Sequence, residues 1–483
     1  MMNKIYVAAL TALLTLTACG GGGDSETTAG IDGRGTPITV AVVSQGSISG
    51  FGSVIVNGVR YETDSASFDI DGVTGSQDDL AVGDVVLIAG TISDDGTTGT
   101  ASTVSFDDIV EGPITAIDSI GNVLTVLGQV VRITGDTSFD DNISPASLAG
   151  LSAGDIVEVS GFRLADNTIS ATRIEAKPAG GEFEVTGVVN DLSGMSFSIA
   201  GLTVDFSAAS LSDFPNSMVE DGQTVEAKGN GLGVSGELLA TRLEFKGVGL
   251  GADTGARADL DGYITRFATA HDFDVSGIPV STPSSTAYEG GTANDLGLNI
   301  KVEVEGEVNA DGVLVADKVD IRRSNKVRMT ALVDSVDAGN GSLVMLGITV
   351  QTDSTTRLED KSDADLRPFT LADLNAGDYV EVRGDEFPAG TGTIAATILE
   401  RDDPDTEAIL QGFVESVSNP SYGLLGVTVE TSARTVFRDI DGTTMSSDEF
   451  FSQLNENDLV KAQGLETTAT TITATEVSFE NAF

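Results

Sequence analysis

The sequence predicts an all-β protein, built as a tandem array of about six small β-barrel modules. Three observations predict this fold class. The chain of 483 residues contains 57 glycines and 5% aromatic residues. With frequent Val, Ile and Thr, that composition favours short strands and tight turns over long helices. One eight-residue phrase occurs six times, and its apolar and polar residues alternate with the period of two that half-buried strands show.

The repeated phrase is clearest as GDYVEVRG, which ends at Gly384. A second signature that begins with alanine, such as ATRIEA from Ala171, follows each copy 10 to 12 residues after its last glycine. The phrase and its follower therefore predict a hairpin, repeated along the chain. The other copies, spaced by 68 to 80 residues, close at Gly90, Gly161, Gly229, Gly306 and Gly464.

A second hairpin is predicted upstream in each copy, where a glycine separates two alternating runs. Asn57-Gly58 gives the strongest signal, because a two-residue turn needs positive φ at this point. An opening strand, a short third run and a helical turn before the second hairpin complete the unit. Five strands with a helical insertion before the fourth match an OB-like barrel, and a compact β-sandwich is the alternative. The equivalent glycines are Gly128, Gly201, Gly277, Gly347 and Gly426.

The predicted units follow from the phrase and from the loop compositions between copies. A unit of about 70 residues has a small core, so we expect neighbouring units to stabilise one another. The β repeats 1 to 6 are predicted at residues 45–109, 110–180, 181–252, 253–324, 325–405 and 406–483.

The N-terminus indicates a secreted, lipid-anchored protein. Lys4 precedes an apolar run that is too short to span a bilayer, and LTAC at residues 16–19 resembles the bacterial lipobox. We predict a signal peptide at residues 1–18, lipidation of Cys19 and a flexible tether at 19–44. Acyl chains on Cys19 would make the membrane a partner of the chain. By resemblance to Gram-negative lipoproteins, Gly20 predicts the outer membrane, with the protein facing the periplasm or the cell surface.

The glycine hairpin, the GDxVEVxG phrase and the AxxIE signature, together with GSISGFGSVIVNGVRYET near the N-terminus, resemble bacterial lipoproteins of domain-of-unknown-function family 5666. The likeness covers about residues 30 to 483. The resemblance implies a small β fold and a cell-envelope setting. It implies no activity and no catalytic residue.

Charge and composition exclude several functions. The chain has 26 basic and 74 acidic residues, a formal net charge of -48, so we expect no binding to nucleic acid. Cys19 and His271 are its single cysteine and single histidine. No Cys/His zinc site, Cys/His nucleophile pair or disulfide framework can be built from one of each. We therefore expect no cofactor, and the oligomeric state stays open.

Two carboxylates within the phrase, Asp378 and Glu381, raise the question of a general acid/base pair. The copies do not preserve the pair, because Gln223 occupies the first position in the third copy and Lys461 the second position in the sixth. Val380, in contrast, is valine in every copy. The phrase therefore indicates a strand with a buried face, in which Asp378 enters the strand from a turn.

Two further motifs have structural explanations. His271 lies in AHDF without an adjacent nucleophile motif, which favours an exposed loop histidine. GLGVSG at residues 231–236 matches the dinucleotide fingerprint, but the residues that follow it form a predicted strand instead of the required helix. We therefore predict a turn there.

Two acidic loops, at residues 68–72 and 438–442, share the tetrapeptide DIDG. Neither loop ends with the glutamate of an EF-hand. The sequence leaves open whether the loops near Asp71 and Asp441 bind calcium or are solvated acidic turns. We assign no metal, cofactor-binding or catalytic residue from the sequence.

These observations predict a non-enzymatic structural or interaction scaffold of the cell envelope. Its expected partner is an envelope protein or a polysaccharide. The alternative is an envelope protein that binds glycans or short peptides on its barrel faces, which the absence of tryptophan disfavours, since aromatic faces supply most sugar platforms. An enzyme that uses carboxylates alone is the third hypothesis.

Overall fold

Because apolar and polar residues alternate in the repeated phrase, its strands bury one face in the core of a barrel. In the strand Tyr379–Glu386, the side chains of Val380 and Val382 are fully buried in a hydrophobic cluster. Burial of each such valine contributes about 1.5 kcal/mol or more. The computed structural model describes residues 39–480 apart from 94, 248, 323, 324 and 389. The first strand begins at Thr39, upstream of the predicted start at residue 45.

The strands fall into six consecutive groups, called barrels 1 to 6. Barrel 1 contains β1 (Thr39–Gly50), β2 (Val54–Val56), β3 (Val59–Glu62), β4 (Ser67–Ile70), β5 (Val73–Gly75), β6 (Val85–Ser93) and β7 (Thr98–Phe106). Barrel 2 contains β8 (Val110–Asp118), β9 (Val123–Val126), β10 (Gln129–Arg132), β11 (Ser138–Phe139), β12 (Ile156–Arg163) and β13 (Ile169–Lys177). Barrel 3 contains β14 (Phe183–Val188), β15 (Asn190–Ser193), β16 (Ser196–Ile199), β17 (Leu202–Asp205), β18 (Ser210–Ser212), β19 (Thr224–Leu232) and β20 (Leu238–Phe245).

The second half of the chain repeats the pattern. Barrel 4 contains β21 (Arg257–Thr269), β22 (Asp272–Val275), β23 (Ile278–Ser281), β24 (Ala287–Glu289), β25 (Lys301–Val308) and β26 (Leu314–Ile321). Barrel 5 contains β27 (Val327–Asp337), β28 (Ser342–Met345), β29 (Ile348–Gln351), β30 (Arg357–Asp360), β31 (Tyr379–Glu386) and β32 (Thr393–Asp402). Barrel 6 contains β33 (Glu407–Ser418), β34 (Ser421–Leu424), β35 (Val427–Glu430), β36 (Val436–Arg438), β37 (Thr444–Met445), β38 (Leu459–Thr468) and β39 (Thr471–Phe479).

Helical turns are short and occur once in each barrel, before the strand that carries the phrase. None of the helices in the described part of the chain has the length and apolar character that crossing a bilayer requires. The helix of barrel 6 is α1 (Ser447–Gln453), and the 3-10 turns of barrels 1 to 5 are Gln77–Asp79, Leu148–Gly150, Pro215–Ser217, Ala293–Asp295 and Leu371–Asp373.

Each group closes into a five-stranded ring. In barrel 1, β1 pairs with β2 and β6, β2 pairs with β3, β3 runs parallel to β7, and β6 pairs with β7. Equivalent pairings recur in the other barrels, except that the first strand of barrel 3 is divided into β14 and β15, of which β15 pairs with β16. The helical turn precedes the fourth strand of the ring, as an OB-like barrel requires. The predicted fold class is confirmed, and the ring closure decides against the β-sandwich alternative.

The hairpin glycines lie in the predicted two-residue turns. Asn57 and Gly58 have φ values of 51° and 77°, which is the geometry that matches the twist of the flanking strands. Leu127, Leu346 and Leu425 occupy the Asn57 position in three other barrels, also at positive φ. Their side chains are buried in the barrel cores, and this burial offsets the unfavourable backbone conformation.

The last glycine of the phrase recurs because no side chain fits there. A Cβ atom on Gly384 would lie 2.1 Å from the carbonyl oxygen of Ala395 on the neighbouring strand. The strand pairing shifts register beside Gly384, as it does beside the other five closing glycines. Each closing glycine is therefore the point at which a β-bulge bends the strand around the barrel.

Asp378 is a turn residue, as its position before the strand predicts. Its Oδ2 atom accepts a hydrogen bond of 2.9 Å from the backbone N–H of Asn375. In barrel 3 the side-chain oxygen of Gln223 accepts the equivalent bond of 2.8 Å from Glu220. An amide can replace the carboxylate because only one acceptor atom is used.

The barrels associate in pairs through their first strands. Barrels 2 and 3 pair by β8 and β14, and barrels 5 and 6 by β27 and β33, both antiparallel. Each of these two pairs shares one continuous hydrophobic core. Barrel 1 pairs with barrel 4, not with barrel 2, through parallel β1 and β21. Distant segments of the chain therefore form one extended sheet.

Candidate functional site

The residues singled out in the sequence lie in separate places. Cys19, the signal peptide and the tether up to residue 38 lie outside the described residues. His271 is exposed in the turn between β21 and β22, where its Nδ1 lies 2.7 Å from the carbonyl oxygen of Thr282. GLGVSG at residues 231–236 spans the end of β19 and the turn into β20, so its glycines lead into a strand and not into a helix.

Glu381 is buried at 5% exposure and binds two guanidinium groups. Its oxygen atoms lie 2.5 Å from Nε of Arg383 and 2.6 Å from Nη2 of Arg328. Burial alone raises the pKa of Glu381, but the two arginines outweigh burial and lower it to about 2. Since Asp378 instead accepts from the turn, the two carboxylates of the phrase serve different structural roles.

The sequence does not predict burial of the phrase glutamate, because the alternation assigns only the valines to the buried face. Four barrels bury it, and each buried glutamate is paired with a cation. Glu sits at this position in four copies, against Leu87 and Lys461 in the others, and that recurrence was the available signal. The pairs are Glu158 with Lys177, Glu226 with Lys228, Glu303 with Arg322, and Glu381 with Arg383.

The residue before the closing glycine reaches from one barrel to another. Arg383 of barrel 5 donates to the carbonyl oxygen of Thr137 in barrel 2 at 2.5 Å. Lys228 of barrel 3 donates to the carbonyl oxygen of Asp71 in barrel 1 at 3.1 Å. In barrel 2, the hydroxyl of Ser160 accepts from the backbone N–H of Val85 at 2.8 Å. One position of the repeat therefore joins barrels.

Cations of barrel 5 also cover the edge of β11 in barrel 2. Arg357 donates to the carbonyl oxygen of Asp136 at 2.5 Å, and Lys361 to that of Phe139 at 2.9 Å. Ser138 donates from its hydroxyl to Glu400 at 3.1 Å. An uncovered strand edge would invite pairing with another chain. These contacts give hydrogen-bond partners to the carbonyl oxygens at this strand edge, and they hold barrels 2 and 5 together.

The first acidic loop packs against the linker from barrel 1 to barrel 2. Asp71 donates its backbone N–H to the carbonyl oxygen of Phe106 at 2.9 Å, and its Oδ1 accepts from the backbone N–H of Asp108 at 3.2 Å. Glu158 of β12 completes the group. One carboxylate oxygen of each of Asp71, Asp108 and Glu158 lies within 4.8 Å of the others. We call these three residues the carboxylate cluster.

Asp108 has the least favourable environment in the carboxylate cluster. It is 1% exposed, and neither of its carboxylate oxygens has a hydrogen-bond partner among the described residues. Burial raises the pKa of Asp108 well above its usual range, and the nearby carboxylates of Glu158, Asp71 and Glu111 raise it further. This linker residue belongs to no motif, so no sequence pattern pointed to it.

The second acidic loop has a different environment. Asp441 is exposed, and its Oδ1 accepts from the backbone N–H of Thr443 at 2.9 Å and from the Thr443 hydroxyl at 2.6 Å. The Thr443 hydroxyl and then its N–H lower the pKa of Asp441. Asp441 is thus satisfied within its own turn, as the solvated-turn interpretation predicts.

Comparisons with known proteins identify a family and no named relative. No curated protein sequence matches the chain. The matching solved structures include a Drosophila chain described as Unr CSD456, 13% identical, with 43% of this chain and 98% of that chain covered. Its TM-score of 0.14 supports no argument about fold or function.

The family model described as "Domain of unknown function (DUF5666)" matches six times. The matched segments are residues 41–105, 111–175, 186–244, 261–320, 330–400 and 411–478. Each segment coincides with one of the barrels, and together the segments cover most of the chain. The chain therefore belongs to the DUF5666 family, and its six barrels are six tandem copies of that domain.

Proposed function

We propose that this protein is a non-enzymatic scaffold of the bacterial cell envelope, in which six barrels present an interaction surface at a distance from a lipid anchor. The observation that carries the proposal is the use of buried charge between barrels. Arg383 is 8% exposed and contacts both Glu400, at 3.0 Å, and the Thr137 carbonyl of another barrel. Ionisable residues in such contacts hold the barrels in register, and their side chains are occupied by contacts within the chain.

The partner class follows from charge. With 74 acidic against 26 basic residues, the surface repels polyanions. An envelope protein or a neutral or basic polysaccharide fits such a surface, and nucleic acid does not. The large negative charge also keeps the chain soluble at the end of its anchor.

The anchor is proposed at Cys19, on the strength of LTAC at residues 16–19. Cell fractionation tests it. The wild-type chain is expected in the outer-membrane fraction, and Cys19→Ala is expected in the soluble periplasmic fraction, since the cysteine carries the acyl chains. An unchanged membrane location of Cys19→Ala would contradict the anchor.

Crosslinking tests the scaffold. Protease shaving of intact cells gives the orientation, and crosslinked pull-down of the full chain gives its neighbours. Crosslinks spread over several barrels are expected for a scaffold, whereas crosslinks confined to one barrel would support the ligand-binding alternative.

A matched pair of variants links the partner to the barrel junctions. Arg383→Met removes a buried contact between barrels and is expected to weaken capture of the partner. Arg434→Met removes an exposed charge from barrel 6 and is expected to leave capture unchanged. Equal capture by both variants would contradict a role for the packed array.

A further inference from the structure

We propose that the carboxylate cluster of Asp71, Asp108 and Glu158 is a binding site for a hard divalent cation, Ca²⁺ or Mg²⁺, at the junction of barrels 1 and 2. One oxygen from each side chain lies within 4.8 Å of the other two. Oxygen ligands lie about 2.0 to 2.6 Å from these ions, so a single ion reaches all three groups with small side-chain adjustments. Carboxylates are the ligands that both ions prefer.

The unpartnered side chain of Asp108 points to a ligand, independently of the clustering. It is 1% exposed, and both of its carboxylate oxygens lack a hydrogen-bond partner among the described residues. A carboxylate in such a place is costly unless it is neutralised by a cation or a proton. The backbone N–H of Asp108 is already donated to Asp71, which fixes the two carboxylates next to each other.

Two lysines lie beside the carboxylate cluster, and each contacts one of its members: Lys177 pairs with Glu158, and Lys228 donates to the carbonyl oxygen of Asp71. Lys177 lies 2.5 Å from Glu158 and 3.5 Å from Glu175. Lys228 pairs with Glu184 and with Glu226. No lysine or arginine of the described chain forms an ion pair with Asp108 within 4.0 Å. Acidic groups therefore outnumber basic ones here, and a divalent cation would reduce the imbalance.

The three ligands come from separate parts of the fold. Asp71 lies in the turn between β4 and β5, Asp108 in the linker between β7 and β8, and Glu158 in β12. A bound ion would therefore connect barrel 1, the linker and barrel 2. Because such a site is complete only in the folded chain, binding raises the melting temperature.

The test is a titration of the purified full chain, stripped with EDTA, with CaCl₂ and separately with MgCl₂ at constant ionic strength. Calorimetry gives the affinity and stoichiometry, and thermal unfolding gives the melting temperature. The wild type is expected to bind one ion at saturation and to melt at a higher temperature with it. Asp108→Asn is expected to bind at least about tenfold more weakly, since a ligand charge is lost. Asp441→Asn, in the second DIDG loop, is the matched control and is expected to bind like the wild type.

Several outcomes would overturn the site. One is the absence of saturable binding of either ion up to about 10 mM, a concentration above the range of weak extracellular sites. Another is an affinity of Asp108→Asn equal to that of the wild type. A melting temperature of the wild type that is independent of both ions would also overturn the site, since binding to the folded chain must raise it. If Asp108→Asn does not fold, Asp71→Asn replaces it, because Asp71 is partly exposed, and retained affinity in that variant overturns the site equally.

Discussion

The tetrapeptide DIDG occurs in barrel 1 and in barrel 6, and the two copies have different structures. In barrel 1, Asp71 and Gly72 form a two-residue turn at φ values of 52° and 77°, with Ile70 paired to Val73. In barrel 6 the strands pair further out, at Arg438 and Thr444, around a longer loop. Four identical residues therefore do not determine the length of the turn; the strands that flank them do.

The surroundings of the two loops differ even more than their turns. Asp71 meets the linker of the next barrel and the carboxylate cluster, whereas Asp441 bonds to Thr443 within its own loop and is exposed. The chemistry of an acidic motif in this protein therefore depends on its barrel neighbours. Substitutions in the two regions should differ accordingly in their effect on stability.

Two lysines, one that contacts barrel 1 and one on the surface of barrel 6, should differ most in their contribution to stability. Lys228 binds the Asp71 carbonyl and is 3% exposed beside Glu184 and Glu226. Lys228→Met should cost about 3 to 5 kcal/mol of unfolding free energy, because it leaves buried carboxylates without a cation. Urea unfolding in EDTA measures the loss separately from any bound ion.

Lys461→Met is the matched control in barrel 6. Lys461 lies 2.9 Å from Glu480 in a partly exposed pair, so its loss should cost less than about 1 kcal/mol. Similar losses in the two variants would show that the junction at barrel 1 is no more dependent on charge than the surface of barrel 6.

Acid should distinguish a buried carboxylate from an exposed one. The pKa of Glu381, about 2 in the folded chain, lies below its ordinary value of 4.5, so Glu381 stabilises the fold above pH 4.5 and this stabilisation is lost as the pH falls towards 2. Glu381→Gln should therefore be less stable than the wild type by roughly 3 kcal/mol at pH 7. Urea unfolding at pH 7 and at pH 3 should show that difference shrinking in acid.

Glu449→Gln is the control for that pH series. Glu449 is exposed, and bonds from the N–H and hydroxyl of Ser446 at the start of α1 lower its pKa. Its substitution should change stability much less than that of Glu381. A loss in Glu381→Gln that stays constant from pH 7 to pH 3 would contradict the ionised, arginine-bound state of Glu381.

The closing glycines should behave alike in both barrels, because their requirement is internal to each barrel. A Cβ atom would lie 2.2 Å from the facing carbonyl oxygen at Gly90 and also at Gly464. Gly90→Ala and Gly464→Ala should each destabilise the chain by about 2 kcal/mol or more. Thermal unfolding measures both, and a loss in one barrel alone would argue against a shared bulge.

The smallest effect is expected at the exposed loop. Asp441→Asn should leave the melting temperature unchanged within error, since the amide oxygen can still accept from Thr443. Asp71→Asn should alter the melting temperature and its response to cations. Equal behaviour of the two variants would remove the distinction between the loops.

Much of each barrel could be predicted from the sequence. The alternation around Val380 defined a strand, and Asn57-Gly58 defined a turn. These features depend on residues that are close in sequence or directly opposite in a hairpin, so the pattern of one copy, confirmed by five others, was sufficient.

The candidate site could not be predicted in the same way. Asp108 lies in a linker without a motif, and Glu158 resembles the other glutamates of the phrase until its neighbours are known. The sequence raised the question of calcium at Asp71 and at Asp441 equally. The structure separated them, because only Asp71 is brought to other carboxylates with a buried, unpartnered member.

Six OB-like barrels and their hairpin turns follow from the sequence, because backbone conformation and strand periodicity are local properties that each copy encodes anew. The three-dimensional structure was needed to show that barrel 1 pairs with barrel 4, that the phrase glutamates are buried, and that three distant acidic groups meet. Burial and electrostatic environment are set by contacts between segments far apart in the chain, and a repeated local pattern does not specify which of those segments meet.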